Sequence, residues 1–480
     1  MHRLPVALLA LALLCIPDAA SAARLDLSPG SDLPALLGAM APGDEAVLAA
    51  GAYLLLEPIV LTEVNGSPEQ PVQIRGEGTV ELIIGPEAGR AFDLRDVSSV
   101  WIQGLTLRGS EGWEDRNQQG VRVRGTTEDV RLEGLSIHRV TNARIRVEGE
   151  SDGLLIRRCE LHGPRGSAVV LGCGSCQVTS ATVANNWIHG LTEDDGDGIR
   201  LLGGNQGAVI VDNVLHDLAG DAIELGATWF GPANTCEGNV TWNAGRGLLL
   251  RGTAVVRNNL FVDSVSNGVY VQPADDQDFD DVVLVSNTIA GSEGPALEIR
   301  DQRESVGFVV ANNVVANPTG VAIRIPTDHL DPDATVRNNL ATGAVDGLAL
   351  DGGHVLAGNG YGDFAAPEAR DFYPGPDSAL SDAAWLASEA WLPATDFNGL
   401  PRDDAADIGA YELSVAENPG WLPVPGFKEP TSTLPVIGTV GCSCQSSVAP
   451  RPAGSLLWLL VLYSLGRIGS RSRRTSRTSR

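Results

Sequence analysis

The chain of 480 residues carries a formal net charge of -26, with 43% hydrophobic and 5% aromatic residues and 56 glycines. Setting aside residues 1–22, where Arg3 and Asp18 cancel, and the seven arginines of 451–480 leaves -26 - 7 = -33 for residues 23–450. So acidic a body repels polyanions and excludes nucleic acid as a partner away from any local basic patch, while the glycine content points to a turn-rich globular chain.

Residues 1–22 read as a secretory signal: Arg3, an apolar run Val6 to Ile16, then Ala20-Ser21-Ala22 as a small-residue cleavage site with Ala22 the processing position. The apolar run is too short to span a bilayer. Residues 23–71 are expected to cap the N-terminal end of the core. There, Asp32 caps a short amphipathic helix through Met40. Pro42-Gly-Asp, Gly51-Ala-Tyr and Gln70-Pro-Val-Gln-Ile-Arg-Gly follow. That order resembles the start of the chondroitinase B and alginate lyase family, and many non-enzymatic β-helix proteins share it.

From residue 72 to 362 one phrase repeats. Asn186-Trp-Ile-His leads through a polar loop to Gly196-Asp-Gly-Ile-Arg-Leu, and Asn213-Val-Leu-His leads to Gly220-Asp-Ala-Ile-Glu-Leu. Each copy reads as two short strands with inward aliphatics at every second residue. The marker Asn recurs at 186, 213, 239, 259, 287, 313 and 339, with a weak echo at Asn359, at intervals of 27, 26, 20, 28, 26, 26 and 20 residues. Leu105, Leu135 and Cys159 hold the same place upstream. A period of 20 to 28 residues marks a solenoid, and neither a leucine-rich frame nor a helical spacing is present. Stacked coils sit about 4.8 Å apart, so like residues form columns. The marker Asn is expected to take the left-handed turn conformation and to bond its copy one coil away. Val121/Val123, Ile145/Val147, Ile199/Leu201, Ile223/Leu225, Val269/Val271, Leu297/Ile299, Ile323/Ile325 and Leu348/Leu350 are the expected inward pairs.

This pattern resembles the right-handed parallel β-helix of the pectate lyase-like superfamily. It implies an all-β solenoid of about ten coils with a short N-terminal capping helix.

Within the coils three groups of residues point to chemistry. Residues 108–165 hold eleven Arg against ten acidic residues, a near-neutral island in an acidic protein. Arg122 and Arg146 share one outward position in adjacent coils; they either pair with Glu133, Glu148 and Glu150 or line a cleft for an anionic sugar chain. His138, His162, His189 and His216 each stand three residues past the marker, a column that reads as a structural ladder or as a transition-metal site. The acidic loop Glu193-Asp194-Asp195-Gly196-Asp197 is the main chemical candidate. Asp197 and Asp221 hold equivalent places in successive coils, Arg200 and Glu224 are outward neighbours, and Arg246 continues the Asp column. Paired carboxylates suit acid and base work on a glycosidic bond, or, with Asp194 and Asp195, a Ca²⁺ site; the alternative is turn chemistry.

The polygalacturonases, which this stretch resembles in Gly-Asp-x-Ile, also need a Gly-His-Gly and an Arg-x-Lys, and both are absent. The chondroitinase B family uses a Lys base, whereas the one Lys of this chain is Lys428, past the repeats. The resemblance therefore implies either a Ca²⁺-dependent lyase with Arg200 or Arg246 acting on a uronate, or a binder without turnover. Arg122, Arg146, Glu224 and Tyr270 would contact the sugar, with Trp187 and Trp229 as further aromatic candidates. Cys173-Gly-Ser-Cys176 is expected to close a small disulfide loop.

Residues 363–415, with Asp396-Phe-Asn-Gly-Leu-Pro-Arg402 and Asp407-Ile-Gly-Ala-Tyr-Glu412, resemble a closing motif of bacterial secreted β-helix proteins and are expected to cap the far end of the core. Residues 416–440 read as a Pro-rich extended linker. Residues 441–480 combine Cys442 and Cys444, a short apolar run and an Arg-rich end, resembling a MYXO-CTERM sorting tail processed at a cysteine. An ordinary tail anchor is the alternative. The reading is an exported monomer anchored at the cell surface or outer envelope through its tail. It engages extracellular polysaccharide, with a Ca²⁺-dependent lyase or glycoside hydrolase, or a structural spacer or adhesin, as alternatives.

Overall fold

The computed structural model describes residues 22–429, apart from 113, 115–116, 194–195, 227–230, 274–279, 304, 349–352 and 387–390. The strand pattern is a parallel β-helix. Each coil contributes three short strands, as in Leu155–Arg157, Glu160–His162 and Val169–Leu171. Each pairs in parallel with its counterpart one coil on, at Thr182–Ala184, Trp187–Leu191 and Ile199–Leu201. We refer to these as the first, second and third faces. Among the described residues 32 strands join in this wrap, with a small four-stranded sheet beside it.

The inward pairs fall where the alternation places them. Val121/Val123, Ile145/Val147, Ile199/Leu201, Ile223/Leu225, Val269/Val271, Leu297/Ile299 and Ile323/Ile325 are all buried, and Val169/Leu171 and Leu248/Leu250 continue the same columns. Leu348 is partly buried against the core, while Leu350 lies outside the described residues. Hydrogen-bonded stacking starts earlier than residue 72. Arg24–Leu27 pairs with Glu45–Leu55, which pairs with Val72–Ile84. The segment expected as a cap thus supplies the first coils, which went unread because they lack the Asn marker. Its helix is only Leu33–Leu37, with the Asp32 side chain accepting from the Ala35 N–H at 3.3 Å. It ends before Met40, at Gly38.

Between the first and second faces the marker asparagines form a buried ladder. Each Nδ2 from Asn186 to Asn313 donates to the next Oδ1 at 2.9–3.0 Å, and that same Oδ1 also accepts the neighbouring backbone N–H. The Cys159 N–H closes the upstream end on Asn186 at 2.9 Å. Two expectations are corrected here. The left-handed residue is the one before the marker (Arg158, Asn185, Asp212, Asn258, Ser286, Asn312, Asn338), not the marker itself. Taking the turn one residue early leaves the amide pointing inward, where it meets its copy. Asn359 is not a rung either. The partner of Asn339 is Val355, and Asn359 instead bonds to Asp363.

The segment past residue 362, expected to close the end of the core, lies along the outside of the second face. Phe372, Tyr373, Phe397, Ile408 and Tyr411 pack on Val214, Val240, Leu260, Val262, Val314 and Leu340. The outward side chains of the left-handed turns clip its backbone. Asn185 donates to Lys428 O, Asn258 to Thr395 O, Asn312 to Trp385 O and Asn338 to Ala383 O. Packing continues through Lys428, past the linker start expected at 416. Its ammonium meets Asp212 at 2.6 Å and sits 3.7 Å from the Phe397 ring centroid. Burial pulls the Lys428 ammonium down, and Asp212 opposes that. Irregular chain has no periodicity, so this docking left no pattern to read.

The four histidines do stack. Ring centroids of His138, His162, His189 and His216 are 4.8, 4.9 and 5.5 Å apart, and Trp242 follows at 4.5 Å. Burial pushes His138 and His216 down and His162 to about 4. The unfolded chain takes up these protons below about pH 6.5 while the fold refuses them, so stability is full above that pH and falls toward pH 4. The denaturation midpoint is therefore expected to drop between about pH 6.5 and 4.5, and to drop less in His162→Phe, which keeps the stack. Identical slopes for the two proteins would assign the acid sensitivity to other groups.

Candidate functional site

The third face builds one outward row along the stack. Register pairs Asp93 with Arg122, Arg122 with Arg146, Arg146 with Val170, and Val170 with Arg200. It continues from Arg200 through Glu224, Leu249 and Tyr270 to Glu298. The pair Arg122 and Arg146, the pair Arg200 and Glu224, and Tyr270, three separate groups in the sequence, therefore share a single column. Asp197, Asp221 and Arg246 lie in a parallel row beside it, since Asp221 pairs with Arg246 in the same register.

The N-terminal part of the row is cationic. Arg124 grips Asp93 through two bonds of 2.8 and 2.7 Å, and Arg90 adds a third at 3.3 Å. Arg122 and Arg146 share Glu148, the former at 2.9 Å through Nε and the latter at 2.5 Å. Of the three acidic partners expected for them, Glu148 alone serves, while Glu133 pairs with Arg157. Four guanidiniums thus surround two carboxylates. Burial would raise Asp93 and Glu148, but the arginines outweigh it and hold both carboxyls below their usual range. Asp93 and Arg90 were missed from sequence because their strand, Arg90–Arg95, precedes the first marker, the Phe92/Leu94 alternation being the available signal; Arg124, two residues past Arg122 on Gln119–Arg124, was missed because its partner Asp93 was.

The central part is a saturated network. Arg200 reaches Glu224 at 2.8 Å and Asp197 at 3.2 Å. The other Asp197 oxygen accepts the Asp221 N–H at 2.9 Å. Arg246 holds both Asp221 oxygens, at 2.6 and 3.1 Å. Burial raises the Asp197 and Asp221 carboxyls, against backbone and arginine contacts. Burial would lower Arg200, but Glu224 and Asp197 reverse this and raise it, which makes it a charged donor and a poor base.

Three expectations change in this light. Glu224 is 7% exposed and already engaged by Arg200, so it supports the row instead of meeting a sugar. Tyr270 is 9% exposed, with the Arg246 and Arg300 guanidiniums 5.5 and 5.8 Å from its ring centroid, so it carries these arginines and offers no stacking face. For Ca²⁺, the described part of the expected set does not fit: the Asp197 and Asp221 oxygens are spent on protein donors. Among the described residues no three His, Cys, Asp or Glu side chains are placed to hold a metal ion. Asp194, Asp195 and Trp229 lie outside the described residues, as do Cys442 and Cys444. Ala22 is exposed at the start of the described chain. The lone lysine is held on the flank by Asp212, away from this face.

Cys173 and Cys176 are joined in a disulfide. Cys159 and Cys236 are free and buried, and burial pushes the Cys159 thiol up to about 12. Both are inert core residues.

A family model described as "Right handed beta helix region" matches residues 119–277. No curated protein matches the sequence. Among solved structures, pectate lyase Pel9A aligns with 82% of this chain and 97% of its own, at TM-score 0.51 and 13% identity. An alginate lyase from Paenibacillus sp. str. FPU-7 covers 56% of this chain and 95% of its own, at TM-score 0.42 and 14% identity. The A-module of the Azotobacter vinelandii mannuronan C-5 epimerase AlgE6 covers 66% and 89%, at 0.48 and 15%. Likeness at such identities is one of fold, and the fold is the right-handed parallel β-helix.

Proposed function

We propose that this is an exported protein, held at the cell surface by its tail, that engages an acidic extracellular polysaccharide along the third face. The observation that carries the reading is the cluster of Arg90, Arg122, Arg124 and Arg146 on only Asp93 and Glu148. It is a local basic patch on a chain of net charge -26. Guanidiniums present planar paired donors that match a carboxylate or sulfate, and a row one coil apart suits a linear polymer. The further arginines of the row, Arg200 and Arg246, are held rigid by their carboxylates, which favours binding over proton abstraction. Export rests on residues 1–22, and surface attachment on residues 441–480.

Arg122→Ala combined with Arg146→Ala is expected to weaken binding of a polyuronate about tenfold or more, and to flatten its salt dependence. Calorimetry at two ionic strengths would measure it; unchanged affinity would remove the basic patch from the interface. The same preparations would be followed for ultraviolet absorbance of an unsaturated uronate, with Ca²⁺ and then with EDTA. A Ca²⁺-dependent rise lost in Asp197→Ala would replace the binder by a lyase.

A further inference from the structure

The second face changes character along its length. Its outer column runs Arg108, His138, then His162 paired with His189, His216 and Trp242, and passes into Val262, Ala290 and Ala316. The C-terminal segment covers the apolar half, packing on Trp242, Val262, Ala290 and Ala316. Of the imidazole half, His216 is itself buried, and the end formed by His138 and His162 is left open beyond that cover. An open cleft of about 610 Å³ lies over it, lined by Glu111, Glu114, His138, Arg139, His162 and Pro164 among others.

The four imidazoles are not equivalent. His189 Nε2 lies 3.2 Å from Glu160. His216 accepts the Trp187 indole N–H at 3.0 Å and meets Asp217 through Nδ1 at 2.9 Å, which fixes it as a neutral ring donating to Asp217. His138 and His162, the two that line the cleft, are half-buried and have no hydrogen-bond partner among the described residues, so their ring nitrogens face the cleft free to pair. Around them Arg108 is paired with Glu81 and Arg165 with Glu193, while Glu111, Glu114 and Arg139 stand exposed at the rim. The exposed rim carries two carboxylates, Glu111 and Glu114, against the one guanidinium of Arg139.

We propose that this cleft is a second ligand site, separate from the arginine face, which takes an uncharged saccharide unit by its hydroxyls. A neutral imidazole offers one N–H and one lone pair, the same pairing of donor and acceptor that a hydroxyl offers. Two such rings 4.8 Å apart, with Glu111 and Glu114 on the rim as further acceptors and Pro164 as an apolar wall, suit a polyhydroxylated ring, and the two rim carboxylates outnumber Arg139. The site shares no residue with the basic patch, so it stands or falls independently of the acidic-polymer reading.

The test is calorimetry and histidine ring ¹⁵N NMR on the mature chain near neutral pH, using neutral gluco-, xylo- and manno-oligosaccharides beside a polyuronate. At least one neutral oligosaccharide is expected to bind and to shift the His138 and His162 ring resonances. His138→Phe with His162→Phe should weaken it about tenfold or more while leaving polyuronate affinity unchanged. Should the double variant disturb folding, the exposed rim pair Glu111→Ala and Glu114→Ala should weaken the same ligand several-fold. The proposal is overturned if no neutral oligosaccharide binds, if binding ignores all four substitutions, or if Zn²⁺ alone produces the ring shifts.

Discussion

Asn259→Ala is expected to cost about 3–5 kcal/mol of stability, from unsatisfied buried donors at about 1–3 kcal/mol each. Its Oδ1 accepts both the Asn239 backbone N–H and the Asn239 Nδ2, each at 3.0 Å, and its own Nδ2 donates to Asn287 at 2.9 Å. Removing the amide leaves the Asn239 backbone N–H and one Asn239 Nδ2 hydrogen without their acceptor, and takes from Asn287 Oδ1 one of its two donors, in a turn where both markers are 0% exposed. Asn259→Asp should also be damaging, because it keeps the acceptors, loses the donor and buries a charge. Asn359→Ala is the control. That residue resembles a ladder member in sequence but bonds locally to Asp363, and its loss should stay below about 1 kcal/mol. Equilibrium urea denaturation compares the three. Equal costs at 259 and 359 would contradict the ladder as the chief polar fastening of the coils.

Arg402→Met should release the C-terminal segment while the coils remain folded. Arg402 is buried among Glu412 at 3.1 Å, Asn258 Oδ1 at 3.1 Å and the carbonyls of Asp407, Gly409 and Tyr411. Asp396 and Glu412 in turn cap backbone N–H groups of the same loop. Burial pulls Arg402 down and raises Glu412, with their mutual attraction opposing both shifts. Deleting the cation leaves the buried Glu412 carboxylate with its backbone N–H partners but no counter-charge, a loss of about 3–5 kcal/mol in such settings. Four of the five acceptors belong to the segment and Asn258 ties it to the coils, so the loss falls on the segment's own loop and on its docking, not on the coils. The expected signature is new protease cleavage between residues 363 and 429 and increased binding of a hydrophobic dye, as Val240, Leu260, Val262 and Val314 lose their cover. Far-ultraviolet dichroism should hardly change. Arg402→Lys should rescue only partly, since an ammonium cannot span the same five acceptors. Cleavage resistance in Arg402→Met would show that apolar packing alone keeps the segment down.

Much of this protein is legible before any coordinates. The 20-to-28-residue spacing of the marker Asn names a solenoid, and the alternation after each turn names the buried pairs, because stacking at a fixed repeat turns sequence period directly into columns. The same logic placed Arg122, Arg146, Arg200, Glu224 and Tyr270 on the outer side of their strands, and His138, His162, His189 and His216 in a column of their own. All of these are local properties, set by pleat and period within one coil.

What the period does not carry is which neighbours a side chain acquires from distant chain. Whether Glu224 and Tyr270 were free for a sugar depended on Arg200, Arg246 and Arg300 reaching them from adjacent coils. That Asp197 and Asp221 had no oxygen to spare followed from the same cross-coil contacts. The C-terminal segment is the clearest case. Residues 383–429 have no repeat, so nothing local announces that Asn258 and Asp212 will bind Arg402 and Lys428 from more than a hundred residues away. The sequence by itself determined the coil, its core columns and its outward rows, because those follow from nearest-neighbour geometry. The tertiary structure decided which rows stay open to ligand, because cover and charge pairing are settled by contacts whose partners no periodicity links.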